Sequence, residues 1–120
     1  MDTGGPAVTA RATLPLRRPN ATRAVAWDGH AFGVTVGLDP ATGRPAEVFA
    51  DLPKGGQMQA VLSDACVIVS IALQHGISVA ALGKSLGRVP LPWGEPGATA
   101  PASPVGAILD ALRAETEQQP

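Results

Sequence analysis

Aromatic residues and cysteine are scarce in this chain. Only 3% of its 120 residues are aromatic, and tyrosine is absent. Because 45% of the residues are nevertheless hydrophobic, the core must be built from Ala, Val, Leu and Ile. The single cysteine, Cys66, excludes an internal disulfide and argues against a cysteine-based zinc site. A chain of this length fits one domain with one core.

An excess of charge of either sign is also missing. The formal net charge is −1, so no global field attracts nucleic acid or an anionic membrane. Four arginines nevertheless lie in the first 23 residues, and Asp110, Glu115 and Glu117 lie near the C-terminal end. We interpret the two groups as a solvated arm and a solvated helix face, with a dedicated binding patch as the alternative.

No apolar signal core opens the chain, and no uninterrupted apolar run reaches the roughly 18 residues of a membrane span. The cytoplasm is therefore the expected location. The sequon at Asn20–Ala21–Thr22 is then expected to be accidental, because glycosylation requires secretion.

Residues 1–19 are rich in Gly, Pro, Thr and Arg and predict a mobile arm, and residues 117–120 predict a tail. Residues 20–116 between them predict a single domain. It opens with three runs of strand-forming residues, of which the first two are separated by the turn signal Asp28–Gly29. These runs predict a three-stranded antiparallel meander with strands at 21–27, 31–38 and 46–52.

The second strand alternates between large apolar and small residues. The large residues predict the side that faces the core, and the small ones predict an outer side on which another molecule can pack closely. We therefore expect self-association through the outer side. The core side comprises Phe32, Val34, Val36 and Leu38, and the outer side includes Gly33, Thr35 and Gly37.

Apolar residues then recur at helical spacing and predict a long helix that covers the sheet and stops at Gly76. Ser78 predicts the N-cap of a short helix that runs to about Leu86 and is closed by Gly87. The stripe expected to face the sheet comprises Met58, Val61, Leu62, Ala65, Ile68, Val69, Ala72 and Leu73.

Four prolines within residues 88–102 predict a loop. Ser103–Pro104 then predicts the start of a C-terminal helix that extends to about Glu115. A run of strands followed by a run of helices indicates an α+β fold, with the meander packed against a long helix, a short helix and a C-terminal helix.

Catalytic residue patterns are not evident. The sequence contains no Ser-His-Asp ordering, no paired carboxylates and no dinucleotide-binding fingerprint. Cys66 lies mid-helix without a cationic neighbour, which predicts a buried structural thiol. His30 follows a turn and His75 ends the long helix, so two lone histidines make a weak metal signal. We therefore predict no catalytic residues, no metal site and no cofactor.

Three features are candidate contacts to a ligand or partner. Backbone amides ahead of the long helix can hold an anion, arginines ahead of the first strand can reach an acidic surface, and a tryptophan in the proline-rich loop offers a stacking surface. The residues concerned are Arg17, Arg18, Lys54, Gly55, Gly56 and Trp93.

The middle of the chain resembles a known family. Gly29-His30 is followed by VTVGL, then by G-x-P-A-E-V-F at residues 43–49, and then by LSDACVIVSIALQHGISVAALGKSLGRV at residues 62–89. Together with Trp93-Gly94 and the closing helix, these segments resemble the TSCPD domain over about residues 14–115. That domain is found at the C-terminal end of vitamin-B12-dependent ribonucleotide reductases and also as separate small proteins.

The resemblance implies kinship with these reductases rather than their activity. The Thr-Ser-Cys-Pro-Asp string that names the family is absent, and so is the reductases' cysteine-rich tail. Ribonucleotide reduction needs a thiyl-forming cysteine and a redox pair, which one cysteine cannot supply. A label of ribonucleoside-diphosphate reductase would therefore name the ancestry, and we do not expect this chain to be an enzyme on its own.

The expected function is that of a stand-alone accessory or regulatory domain that acts by protein interaction. Its expected partner is a ribonucleotide reductase-like protein or a second copy of itself, and neither a membrane nor nucleic acid is expected. The alternative is a module that binds a small metabolite or nucleotide through the helix start at residues 53–57 and the arginine-rich arm. A thiol enzyme using Cys66 is a third class.

The predicted core face of the second strand can be tested by Val36→Asp. An unpartnered buried carboxylate should lower the free energy of unfolding by several kcal/mol. Denaturant unfolding measures this change. An unaltered melting temperature would show that the two faces have been assigned the wrong way round.

Overall fold

A computed structural model of the chain describes residues 10–52 and 56–117. Within these ranges it has the predicted α+β architecture, a three-stranded antiparallel sheet with three helices. The elements in chain order are β1 (Asn20–Trp27), β2 (His30–Leu38), β3 (Pro45–Asp51), α1 (Gly56–Gln74), α2 (Val79–Gly83), β4 (Arg88–Pro90), β5 (Thr99–Pro101) and α3 (Pro104–Glu117).

The main sheet is built from two consecutive hairpins in the order β1-β2-β3, so the predicted meander is confirmed. Asp28 and Gly29 both have positive φ, 50° and 75°, which is the backbone of the tight turn that matches strand twist. Trp27 therefore pairs directly with His30. The register between β2 and β3 is irregular at Gly37 and Leu38, next to the loop that joins them.

The core lies between one face of the sheet and the helices α1 and α3. Val34 and Val36 at its centre are completely buried, which confirms the predicted core side of β2. Helix α1 packs along β3, whereas α3 packs against β1 and closes the other side. The central cluster comprises Phe32, Val34, Val36, Val48, Ala50, Leu62, Cys66, Val69, Val79, Ile108, Leu109 and Leu112.

The predicted core stripe of α1 is wrong for three of its eight members. Leu62 and Val69 are buried as expected, but Met58, Val61 and Ile68 are 47%, 60% and 68% exposed. The helix is rotated away from the orientation that apolar burial alone would select. The reason lies in its polar side chains, which face the sheet.

Side chains of α1 bind the free edge of β3. Ser70 Oγ accepts from the backbone N–H of Val48 at 2.9 Å and donates to the carbonyl of the same residue at 3.4 Å. Gln59 Nε2 donates to the carbonyl of Ala50 at 3.1 Å, while its Oε1 accepts from the N–H of Leu52 at 2.6 Å. The hydroxyl and the amide thus take the place of a fourth strand.

The same edge is bound at two further points. Gln74 Nε2 donates to the carbonyl of Ala46 at 3.0 Å, and the Cys66 thiol makes a hydrogen bond with the backbone of Ala50. Unpaired backbone groups of a buried edge are costly, and an open edge invites pairing with another chain. Helix α1 satisfies these groups and blocks the edge.

The segment after α1 differs in detail from its prediction. Helix α2 ends at Gly83 rather than Leu86, although Ser78 caps it as expected by accepting from the N–H of Ala81. The predicted loop contains a short hairpin, β4–β5, with Arg88 paired to Pro101. Prolines are tolerated there because each strand of a two-stranded ribbon has a side that needs no N–H donor.

Helix α3 begins at Pro104 as predicted, with Ser103 Oγ accepting from the N–H of Gly106, but it extends to Glu117. Of the acidic residues predicted to form a solvated face, Asp110 is partly exposed, whereas Glu115 is buried. Glu115 is 8% exposed and pairs with Arg23 of β1 at 3.5 Å, and Asp110 pairs with Arg88 at 3.2 Å. These ion pairs join α3 to the sheet and to the small hairpin.

Replacing Ser70 by alanine tests the bonded edge. The backbone N–H of Val48 would lose its partner in a residue that is 1% exposed, so we expect a loss of about 1–3 kcal/mol in the free energy of unfolding. Denaturant titration measures it. Ser85→Ala, at an exposed serine beyond α2, is the control and should change stability by less than about 0.5 kcal/mol. Equal effects of the two substitutions would contradict the role assigned to Ser70.

Candidate functional site

The segment just before β1 forms a bend that is fastened to the sheet. Arg18 makes an ion pair with Glu47 of β3, and its Nη1 also donates to the carbonyl of Pro15 at 2.6 Å. The hydrogen bond to Glu47 raises the pKa of Arg18 above its ordinary value. These bonds close the bend from Pro15 to Arg18 and leave Leu16 and Arg17 at its tip.

Both residues at the tip face solvent. Leu16 is 100% exposed, and Arg17 is exposed as well. Gly37 of β2 contributes to the anchor, because a Cβ at this position would lie 2.5 Å from Glu47 Oε1. The glycine therefore lets the Glu47 side chain lie flat across the outer face of the sheet, where Arg18 meets it. The small-residue face predicted to self-associate is thus covered at this end.

The arm is also held at the far end of α1. The N–H of Ala12 donates to the carbonyl of Gln74 at 2.7 Å, and the Arg11 guanidinium donates to the Gln74 side chain. The N–H of Leu38 donates to the carbonyl of Pro19 at 2.8 Å, which fixes the point where the arm enters β1. Residues 10–19 of the predicted mobile arm are therefore in contact with the domain.

Three of the four N-terminal arginines are bonded within the domain. Arg11 bonds Gln74, Arg18 bonds Glu47, and Arg23 bonds both Glu115 and the carbonyl of Ala111. Arg17 makes no hydrogen bond or ion pair within the described part of the chain. Of the four N-terminal arginines, it is the one whose charge is available to another molecule.

The other candidate contacts lie elsewhere. Trp93 is 69% exposed in the turn of the β4–β5 hairpin, which packs beside α3, whereas Arg18 lies at the β3 edge of the main sheet. Gly56 is the first residue of α1 and has a φ of 84°. Lys54 and Gly55 lie outside the described residues. Of the predicted contacts, the structure places only Arg17 and Arg18 together.

A cleft of about 300 Å³ separates the outer side of β3 from α1. Phe49 and Val67 form its exposed apolar rim, Arg11 and Glu47 lie at one end, and Cys66 lies at its base. Cys66 is 3% exposed, so the prediction of a buried thiol is confirmed. Burial raises the pKa of the Cys66 thiol, and the hydrogen bond with Ala50 opposes this shift only in part.

A second cleft, of about 500 Å³, lies where α1 ends and α2 begins. Asp39 and Arg44 from the β2–β3 loop line one wall, and Arg113 from α3 lines another. Two arginines and one aspartate thus line this cleft.

Residues 10–52 and 56–117 contain no cluster of three or more His, Cys, Asp or Glu side chains that could hold a metal ion. Helix α1 is long and apolar enough to cross a membrane by length and composition alone, with a mean hydropathy of 1.5. In the structure one side of this helix is hydrogen-bonded to β3.

Comparison with known proteins identifies the family. The chain matches the model of the TSCPD domain over residues 9–115. It belongs to the TSCPD domain family. No curated protein and no solved structure matches it. The match confirms the resemblance seen in the sequence and extends it into the arm, so the anchored bend is part of this TSCPD domain.

The sequence did not reveal the residues that shape this surface. In the sequence Leu16 is one residue of an arm, because nothing local indicates that Arg18 pairs with Glu47. The edge-binding residues left a clearer signal. Polar or small polar residues recur on one side of an apolar helix, at helical spacing, in Gln59, Ser63, Cys66, Ser70 and Gln74.

The raised pKa of Cys66 predicts slow alkylation of the native protein. The thiolate is the reactive form, so at neutral pH its fraction is smaller than in a free cysteine and increases only at higher pH. Timed labelling with a thiol reagent, compared with the denatured chain, measures the rate. Cys66→Ala should cost about 1 kcal/mol of stability. Native labelling as fast as that of the denatured chain would contradict the structural role.

Proposed function

We propose that this TSCPD domain is an accessory or regulatory domain, related to the C-terminal part of B12-dependent ribonucleotide reductase, that acts by binding a protein. It docks on a ribonucleotide reductase-like protein and is not catalytic alone. The contact is made by the bend at Leu16 and Arg17. Family membership supports the choice of partner, since the domain accompanies these reductases.

The observation that carries the proposal is the exposure of Leu16 on an anchored bend. A fully exposed leucine costs free energy in water, and a flexible arm would let it collapse onto the domain. Here Arg18 is committed to Glu47 and to Pro15, which holds Leu16 outward beside an exposed cation. Arginine is enriched at protein interfaces, and the exposed leucine beside it adds apolar area that a partner can bury.

The absence of catalysis by the chain alone is supported by its sequence. Its single cysteine is buried under β3 and cannot form a redox pair within the chain. The chemistry of nucleotide reduction would therefore belong to the partner. The role left to this domain is to position, regulate or recruit that partner.

A second candidate function is the binding of a small anionic metabolite or nucleotide. The observation in its favour is the 500 Å³ cleft with Arg44 and Arg113 on its walls. Ligand binding to the native state would raise the melting temperature in proportion to ligand concentration. A screen with inorganic phosphate and nucleoside phosphates would distinguish this candidate from protein docking.

Arg17→Glu should weaken docking. The substitution places a carboxylate where a cation meets the partner, and charges at an interface rim mainly alter association rate and its salt dependence. We expect the largest loss at low ionic strength and no change in melting temperature. Binding of the purified domain to the B12-dependent reductase of the same organism, measured by surface plasmon resonance at several salt concentrations, provides the test.

Two further variants complete this experiment. Lys84→Glu makes the same charge change at an exposed site beyond α2 and should bind as wild type. Arg18→Ala should release the bend and weaken binding while leaving the exposed charge of Arg17 in place. The docking model fails if the reductase does not bind, or if Arg17→Glu and Lys84→Glu behave alike.

A further inference from the structure

The outer edge of β1 has no cover of the kind that α1 gives to β3. Strand β1 has β2 as its neighbour in the sheet, and its other edge faces away from the sheet. Trp27 and His30 flank a two-residue turn, so they exchange both of their backbone hydrogen bonds, and bonded pairs then alternate along the register. The residues between the bonded pairs point their N–H and C=O groups at the open edge. They are Thr22, Ala24 and Ala26.

The outward backbone groups of these three residues, all of them exposed, receive no hydrogen bond from the part of the chain that the structure describes. The strand also lacks the features that usually protect an edge. Its eight residues include no proline and no lysine, its register has no bulge, and its one charged side chain, that of Arg23, is turned to α3. Strand β1 is therefore open to pairing with another extended chain.

A groove of about 530 Å³ lies between this edge and α3. Its two sides are held together at two points. Arg23 Nη1 donates to the carbonyl of Ala111 in α3 at 3.2 Å, and Trp27 Nε1 donates to the carbonyl of Pro101, just before α3, at 3.2 Å. Ala107 and Ala111 contribute a wall of small apolar side chains. A strand added to β1 would turn every second side chain towards this wall.

We propose that β1 binds an extended peptide segment of another protein, which pairs antiparallel with the open edge and fills the groove beside α3. The segment forms a fourth strand of the main sheet, a known mode of peptide recognition. Its residues that bond β1 have side chains on the outer face, and the alternate residues, which face α3, are apolar. The edge from Thr22 to Ala26 is about 14 Å long at the rise of an antiparallel strand, so about five residues suffice.

The chemistry of the edge favours a peptide strand over a helix. Its donors and acceptors recur at every second residue, which matches the backbone of a strand, whereas a helix has already bonded its own N–H and C=O groups. The size of the groove agrees, because 530 Å³ is within the usual range of clefts that hold a small ligand.

The position of α3 favours a peptide over a second copy of this chain. Two copies paired antiparallel through β1 would be related by a two-fold axis perpendicular to the sheet, which places both α3 helices on the same face. Because α3 already lies beside the edge, the two helices would compete for the space above the joined strands. A single peptide strand brings no helix with it.

Hydrogen exchange of the full chain, measured by NMR, tests the proposal. In the free protein the amides of Thr22, Ala24 and Ala26 should exchange faster than those of Arg23 and Val25, which are bonded to β2. The probe is the peptide acetyl-KVTVTVTK-amide, in which valine alternates with threonine. Its binding should slow exchange of the three edge amides by about tenfold or more and leave the other two unchanged.

N-methylated forms of the peptide provide a control that leaves the protein unaltered. In the proposed arrangement the threonines bond β1 and the valines face α3. Methylation of the threonine amides removes the donors that reach β1, so it should abolish the protection of the edge amides. Methylation of the valine amides, whose N–H groups point away from β1, should preserve it.

Variants of the protein test the same contact from the other side. Ala24→Pro removes an edge amide without removing a hydrogen bond to β2, so it should weaken peptide binding by about tenfold or more while the sheet stays paired. Ala24→Val keeps the amide and is the matched control. Arg17→Glu should also bind the peptide as the wild type does, so failure of this proposal and failure of docking through the bend are distinguishable.

The following outcomes would overturn the proposal. One is a free chain whose edge amides exchange as slowly as that of Val25, and another is no protection by the unmethylated peptide at millimolar concentration. A third is equal protection by the two methylated peptides. Protection that appears without peptide as the chain is concentrated, together with a doubling of its mass, would assign the edge to a second copy instead.

Discussion

The structure depends on one contact, the hydrogen bonding of the free edge of β3 by side chains of α1. An edge strand of a small sheet has backbone groups that must be bonded or hydrated, and those of β3 lie in the interior. Ser70 satisfies both groups of Val48, and Gln59 and Gln74 extend the contact to either side. The rotation of α1 about its axis follows from this contact, because a hydroxyl and two amides have to reach the strand.

That rotation has consequences on both sides of the helix. On the inner side it leaves only a narrow apolar strip, with Leu62 and Val69, to pack on the sheet, so α3 must supply much of the remaining core through Ile108 and Leu112. On the outer side it exposes Met58, Val61 and Ile68. The polar edge contact thus determines both how the core is closed and which apolar residues of α1 face solvent.

The N-terminal arm, residues 10–19, is bonded to the same strand β3 and to the C-terminal end of α1. Gln74, which caps the edge of β3 at Ala46, also binds Arg11 and Ala12, and Glu47 on the neighbouring position of β3 binds Arg18. The bend at Leu16 and Arg17 is therefore positioned by the strand whose other side is bonded to α1. The TSCPD family model matches the chain from residue 9, so residues 10–19 of the arm lie within the matched region. The bend and the scaffold are thus held by bonds to the same strand.

The sequence alone determined the α+β class, the order of the three strands, the turn at Asp28–Gly29, the core side of β2 and the buried cysteine. These features depend on local turn chemistry or on alternation over a few residues, which a linear pattern records directly. The orientation of α1, the hairpin within the proline-rich segment and the pairing of Arg18 with Glu47 were decided only by the tertiary structure. An apolar pattern on nearly all sides of a helix does not specify which side packs inward, and the residues that decide it, Ser70 and Val48, are 22 positions apart.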